Sequence, residues 1–160
     1  IDIHEESSKV SDFLHEQGHD NFKLIKTDGK TIDYDSDSVD LIYSFIVLVH
    51  MDSIEKIICY LNEAFRVIKK GGIVQLFYGG FRYARRIGLK NYIKGYHLTL
   101  PTKDRHRTGL PNFRLHEYYM KKLARRIGFK IVAVGNAYRQ VPDGYPNELG
   151  TQRYITLLKH

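Results

Sequence analysis

The chain has no tryptophan, one cysteine and only four prolines in 160 residues. A lone cysteine, Cys59, rules out an internal disulfide framework and a cysteine-built metal cluster, and it suits a reducing, cytoplasmic setting. No apolar run approaches the roughly 20 residues that a bilayer-crossing helix needs, so no membrane span is expected. No charged-then-apolar leader opens the sequence. It begins at Ile1, in what reads as the end of a strand, so a longer product with residues upstream is expected. Acidic residues are nearly missing from one stretch, Gly79 to Phe113, where Asp104 stands against eight lysines and arginines. What remains is ordinary for one globular domain with a real core: 42% hydrophobic residues, twelve tyrosines and eight phenylalanines, with a net charge of +7.

The stretch from Thr31 to Gly72 organises the rest. An acidic turn runs into an apolar segment, Val39 to Met51. Ile54, Ile57, Ile58, Leu61, Phe65 and Ile68 then recur at three- and four-residue steps, which predicts a helix with one buried stripe. Asp52 and Ser53 can cap its start, Lys69 and Lys70 suit its negative end, and Gly71 can close it. A second apolar run follows, Ile73 to Tyr78. Strand, helix, strand at this spacing is a βαβ unit, which implies parallel pairing and a right-handed crossover. Ligands of such sheets sit beyond the carboxyl ends of the strands, which places Ser44, Phe45 and Tyr78 to Gly80 at the lip of a site. Asp33, Asp35, Asp37 and Asp40 imitate a calcium loop, but no glycine or glutamate falls where that loop requires one, so no metal is assigned. A solvated turn is the better account.

The run I-D-Y-D-S-D-S-V-D-L-I-Y-S-F-I-V-L-V-H, a helix, then F-R-V-I-K-K-G-G resembles the class I S-adenosylmethionine-dependent methyltransferases of the type 11 group. Asp33, Val39, Val49 and Lys70 depart from the group's usual residues, and none of these removes a cofactor-binding group. The resemblance implies a Rossmann-like α/β/α sandwich with a mostly parallel sheet and an antiparallel last strand. It implies S-adenosylmethionine as cofactor, with Asp2 and Ile3 at the ribose, Asp28 and Gly29 at the adenine, and Ser44 and Phe45 completing the site. A carboxylate suits the ribose role because its two oxygens can receive two adjacent hydroxyls. His50 takes the place of the second histidine in the group's Leu-His-His-like segment and is a candidate general base. His97, His106 and His116 are further candidates. The group's glycine-rich first loop has no counterpart in these residues, and Gly71-Gly72 and Gly79-Gly80 lack its spacing. It is expected just upstream of Ile1, so the chain reads as a methyltransferase domain over 1–160 without its first strand-helix unit.

Downstream, Phe22 to Thr27 is expected as a strand, preceded by a helix over Glu5 to Gln17. Leu89, Tyr92, Ile93, Tyr96 and Leu100 fall at helical steps. In the resembling family the segment between the fifth strand and the next helix covers the active site, so 79–113 is expected as a basic, aromatic lid. Its cations suggest an anionic small-molecule acceptor, with Arg82, Arg85, Arg86 and His106 as candidate contacts. Nucleic acid also fits such a surface, less well. A helix from Leu115 to Ile127, with Lys121, Lys122, Arg125 and Arg126 facing solvent, precedes strands at Phe129 to Ala137 and Gln152 to Leu158. Two other readings share these residues. A nicotinamide dehydrogenase has the same fold type, but the S-F-I-V-L-V-H and R-V-I-K-K-G-G pieces argue against it. A non-catalytic module could bind nucleic acid or a partner through 79–113.

Overall fold

A computed structural model describes residues 7–25, 27–28, 30–81, 88–100, 111–137 and 152–160. Its longest strand, β2 (Ile68–Phe81), organises the sheet. Val74, Leu76 and Tyr78 alternate along it, each at 1% exposure or less, so one face is committed to a core. β1 (Val39–Ser44) lies parallel to it, with Ser44 opposite Leu76. β2 therefore runs on past the end of β1. Beside this extension lies β4 (Asn112–His116), also parallel, with Phe81 opposite His116. On the other edge of β2 runs β6 (Gln152–Lys159), antiparallel, and beyond it β5 (Phe129–Ala137). A short β3 (Tyr96–Thr99) pairs antiparallel with β4. The sheet is mixed, with the antiparallel closing strand that the sequence implies.

The helices α2 (Ile54–Val67) and α4 (Glu117–Ile127) cover one face. Ile57, Leu61, Ala64, Met120 and Ala124 bury completely there, against Leu76, Ile155 and Leu157. Ser53 caps α2 by accepting the Lys56 N–H at 3.2 Å. The acidic turn before β1 is clamped to the end of α2. Arg66 donates to the carbonyls of Tyr34 and Ile32 at 2.8 Å each, and Glu63 accepts the Ile32 N–H at 2.9 Å. Asp37 receives Lys159 and Asp40 receives Lys69. These two aspartates thus serve the turn as ion-pair partners. On the opposite face Tyr43, Phe45, Phe77 and Tyr154 form an aromatic row, with adjacent centroids 5.2–6.4 Å apart. The first helix, α1 (Ser7–Glu16), presents Val10 and Phe13 to solvent.

Four sequence expectations shift. Residues 22–25 form no strand: a strand needs a ladder partner, and among the described residues the outer edge of β1 pairs with nothing. α2 ends at Val67, so Ile68, Lys69 and Lys70 open β2, and Gly71 takes its positive φ of 82° inside a turn of that strand. The helix through Leu89 stops after two turns. α3 is Leu89–Lys94, and Gly95, at φ 85°, sends Tyr96 and its successors into β3. Leu115 belongs to β4 rather than to α4, because His116, capping the helix, is the residue at which the chain turns.

Candidate active site

The carboxyl ends of β1, β2 and β4 and the start of β6 meet at one edge of the sheet. Ser44 ends β1 facing the helices, 2% exposed, and its hydroxyl meets no partner at hydrogen-bond geometry among the described residues. The Tyr60 hydroxyl of α2 lies toward it. Burial pushes the Tyr60 pKa up, and Ser44 draws it partly back. Phe45 points to the other face, against Phe77 at 5.2 Å. Ile46 follows at φ 63°, a conformation that a β-branched residue rarely adopts, so the turn leaving β1 is strained. A 3₁₀ turn, Leu48–His50, brings His50 back over the edge. Its Nδ1 lies 3.1 Å from the carbonyl oxygen of Pro111. A carbonyl can only accept, so Nδ1 carries the proton and Nε2 keeps its lone pair.

Asp28 is placed differently. Its Oδ1 accepts the backbone N–H groups of Lys30 and Thr31, both at 2.8 Å, and the Thr31 hydroxyl. The Thr31 amide, then the Lys30 amide, holds its carboxyl below the usual range, so it is ionised at neutral pH. Its charge acts on Glu63, in the second half of α2. That end of α2 leads away from the edge where Ser44 and His50 meet. Asp2, Ile3, Gly29, Arg82, Arg85, Arg86 and His106 lie outside the described residues. Of the remaining histidines, His97 is half-buried beside Thr99 at 3.1 Å, and His116 gives its Nδ1 to the Tyr118 N–H.

A second group at the same edge escaped the sequence reading. Arg153 of β6 sits opposite Tyr78 and is 7% exposed. Its guanidinium donates to Glu117, which also receives Lys121. Lys121 is therefore turned inward, with its side chain 27% exposed, and does not face solvent as expected. Burial, opposed by the neighbouring Arg153 charge, pushes the Tyr78 hydroxyl up to about 12. Gly80 makes room for Arg153: a Cβ there would stand 2.2 Å from its Cδ. The signal was in the alternation. Arg153, Ile155 and Leu157 share one face of β6, and a charge in an apolar stripe calls for a partner.

The first 76 residues match the family model of the methyltransferase domain. No curated protein matches in sequence. Among solved structures, a S-adenosylmethionine-dependent methyltransferase from Methanosarcina mazei superposes with a TM-score of 0.68 at 16% identity, over 99% of this chain and 79% of that one. A Burkholderia thailandensis 1,6-didemethyltoxoflavin-N1-methyltransferase, holding S-adenosylhomocysteine and 1,6-didemethyltoxoflavin, gives 0.67 at 12% identity, over 94% of this chain and 56% of that one. The [4+2]-cyclase SpnF gives 0.65 at 16% identity, over 95% of this chain and 62% of that one. The resemblance carried by Thr31 to Gly72 therefore stands, in sequence and in fold.

Proposed function

We propose that this chain is a class I methyltransferase domain with S-adenosylmethionine as its cofactor, and that it methylates a small, anionic acceptor at the carboxyl edge of the sheet. When bound, the cofactor supplies a methyl group already activated on a sulfonium. Holding the acceptor in line then contributes much of the rate. The observation that carries the reading is the parallel β1–α2–β2 unit, which ends with Ser44, His50 and Gly79 on one edge. The Ser44 hydroxyl fits a cofactor site because it is buried at the end of β1 with only the Tyr60 hydroxyl lying toward it among the described residues, and that neighbour is not at hydrogen-bond geometry. Asp28 fits by its ionised carboxylate, whose Oδ2 accepts no hydrogen bond among the described residues. Its adenine role needs the segment around it to come to the edge, which makes its variant the sharper test. His50, with Nε2 open to accept a proton, serves as base where the acceptor must lose one before attack. Asp2 and Ile3 hold the ribose, Gly29 the adenine edge, and Phe45 borders the cofactor. Arg82, Arg85, Arg86 and His106, of the basic 79–113 segment whose described parts at 79–81, 96–99 and 112–113 are strands of the sheet, take the acceptor's negative charge.

The test is calorimetric titration with S-adenosylhomocysteine. Binding is expected, and Asp28→Asn should weaken it by about tenfold, because the new amide keeps the turn but loses the charged acceptor. Ser44→Ala should weaken it less. Binding that ignores both substitutions would remove these residues from the site. No binding at all would turn the reading toward a non-catalytic module. In that case a ligand for the basic 79–113 segment becomes the next titrant.

A further inference from the structure

We propose that the cavity below the first turn of α4 holds the carboxylate of a small aromatic acid, with Arg153 and Lys121 as its cationic partners. The cavity measures about 290 Å³ and is lined by Phe81, His116, Glu117, Tyr118, Lys121 and Arg153. Arg153 is 7% exposed, and among the described residues its Nε has no acceptor at hydrogen-bond geometry, although the Tyr78 hydroxyl lies beside the guanidinium. A buried guanidinium N–H without a partner is costly, so a group that supplies an acceptor there binds favourably. Among the described residues two cations face one carboxylate, Glu117, which leaves one positive charge over within this group. A single carboxylate balances that charge, whereas a doubly charged phosphate would exceed it. His116 spends Nδ1 on the Tyr118 amide, so its Nε2 is left as an N–H donor. Phe81 and Tyr118 supply apolar walls, and the volume exceeds that of a cavity known to admit benzene. The site is also built for this cation: Gly80 lacks the Cβ that would displace the Arg153 stem. The cavity lies at the carboxyl ends of β2 and β4, where the methyltransferase reading places the acceptor. Assigning the carboxylate to that acceptor rests on that reading, but binding of the carboxylate does not.

Benzoate is the probe, titrated without cofactor into the ¹⁵N-labelled full chain while the arginine Nε–Hε signals are followed. The Arg153 signal, identified from its loss in Arg153→Lys, should move saturably together with the His116 ring signals. Benzyl alcohol, of like shape without the charge, should leave both in place, and inorganic phosphate should bind more weakly than benzoate. Lys121→Met keeps most of the side-chain stem and leaves the buried Arg153–Glu117 pair intact. It should weaken benzoate binding by about tenfold with an unchanged fold. An unmoved Arg153 signal at about 50 mM benzoate, where even millimolar affinity would register, overturns the proposal. So does an equal response to benzyl alcohol, or full affinity in Lys121→Met. S-adenosylhomocysteine binding without a benzoate response defeats this inference alone. A benzoate response without S-adenosylhomocysteine binding defeats the methyltransferase reading and leaves the carboxylate site standing.

Discussion

Replacing Gly80 with alanine should strike a residue far away in sequence. The added Cβ would stand 2.2 Å from Cδ and 2.5 Å from Cγ of Arg153, but an ordinary 3.5 Å from its Cβ. An exposed arginine would swing aside at little cost. This one is 7% exposed, lies over β2 and is held by Glu117. If the stem tilts and keeps its carboxylate, the cost is that of overpacking, about 1–3 kcal/mol. If the ion pair breaks and leaves a buried charge unpaired, it approaches 3–5 kcal/mol. An intermediate loss of about 3 kcal/mol is expected, since Lys121 keeps Glu117 partly in place. Urea unfolding measures it, and a double-mutant cycle assigns it. In an Arg153→Ala background the clashing atoms are gone, so Gly80→Ala should cost almost nothing. An equal cost in both backgrounds would refute the argument and place the strain in the backbone of β2.

Tyr78 is 1% exposed and its pKa stands at about 12, above the ordinary value of 10.0. A raised pKa means stability that is whole below pH 10.0 and is lost as pH rises toward about 12, a span worth up to about 3 kcal/mol. Urea midpoints across that range should fall in the wild type and stay flatter in Tyr78→Phe. Glu63 behaves in the opposite sense. Its hydrogen bond to Arg66 lowers its pKa below 4.5, so its contribution is present above that value and is lost as pH falls through the lowered one. Glu63→Ala should cost about 1 kcal/mol at neutral pH after allowance for solvent screening, and should steepen no acid transition. An unchanged midpoint would show that the acidic turn is not held by this clamp.

The β1–α2–β2 unit was legible because its signals are local. The apolar steps of α2, its Ser53 cap and the alternation of β2 each act within a few residues, and all agree. Boundaries slipped where two signals met. Ile68 sits at a helical step from Leu61 and at a strand step from Val74, and pairing with Val39 settled it for the strand. Tyr96 and Leu100 continued a helical period on paper, but the ladder pairing of Tyr96 with Leu115 and of Leu98 with Phe113 outweighed a further helical turn. Phe22 to Ile25 had strand composition without a neighbour to pair with, and composition alone makes no ladder.

The candidate site was legible only in part, for a reason of a different kind. Ser44 follows from topology, since a βαβ unit fixes which strand ends share an edge, and His50 comes from the resemblance. The Arg153–Glu117–Lys121 group does not, because its members come from β6 and from both ends of one turn of α4, and only the packed sheet brings them together. Glycine links the two levels. Gly79-Gly80 lacks the spacing of a glycine-rich cofactor loop, yet the missing side chain of Gly80 is what lets a cation from β6 lie across β2. A sulfonium donor needs little from the protein beyond alignment. What would distinguish one such enzyme from another is thus the chemistry that grips the acceptor, and the Arg153–Glu117–Lys121 group that we propose for it is assembled by long-range contacts that no local pattern announces.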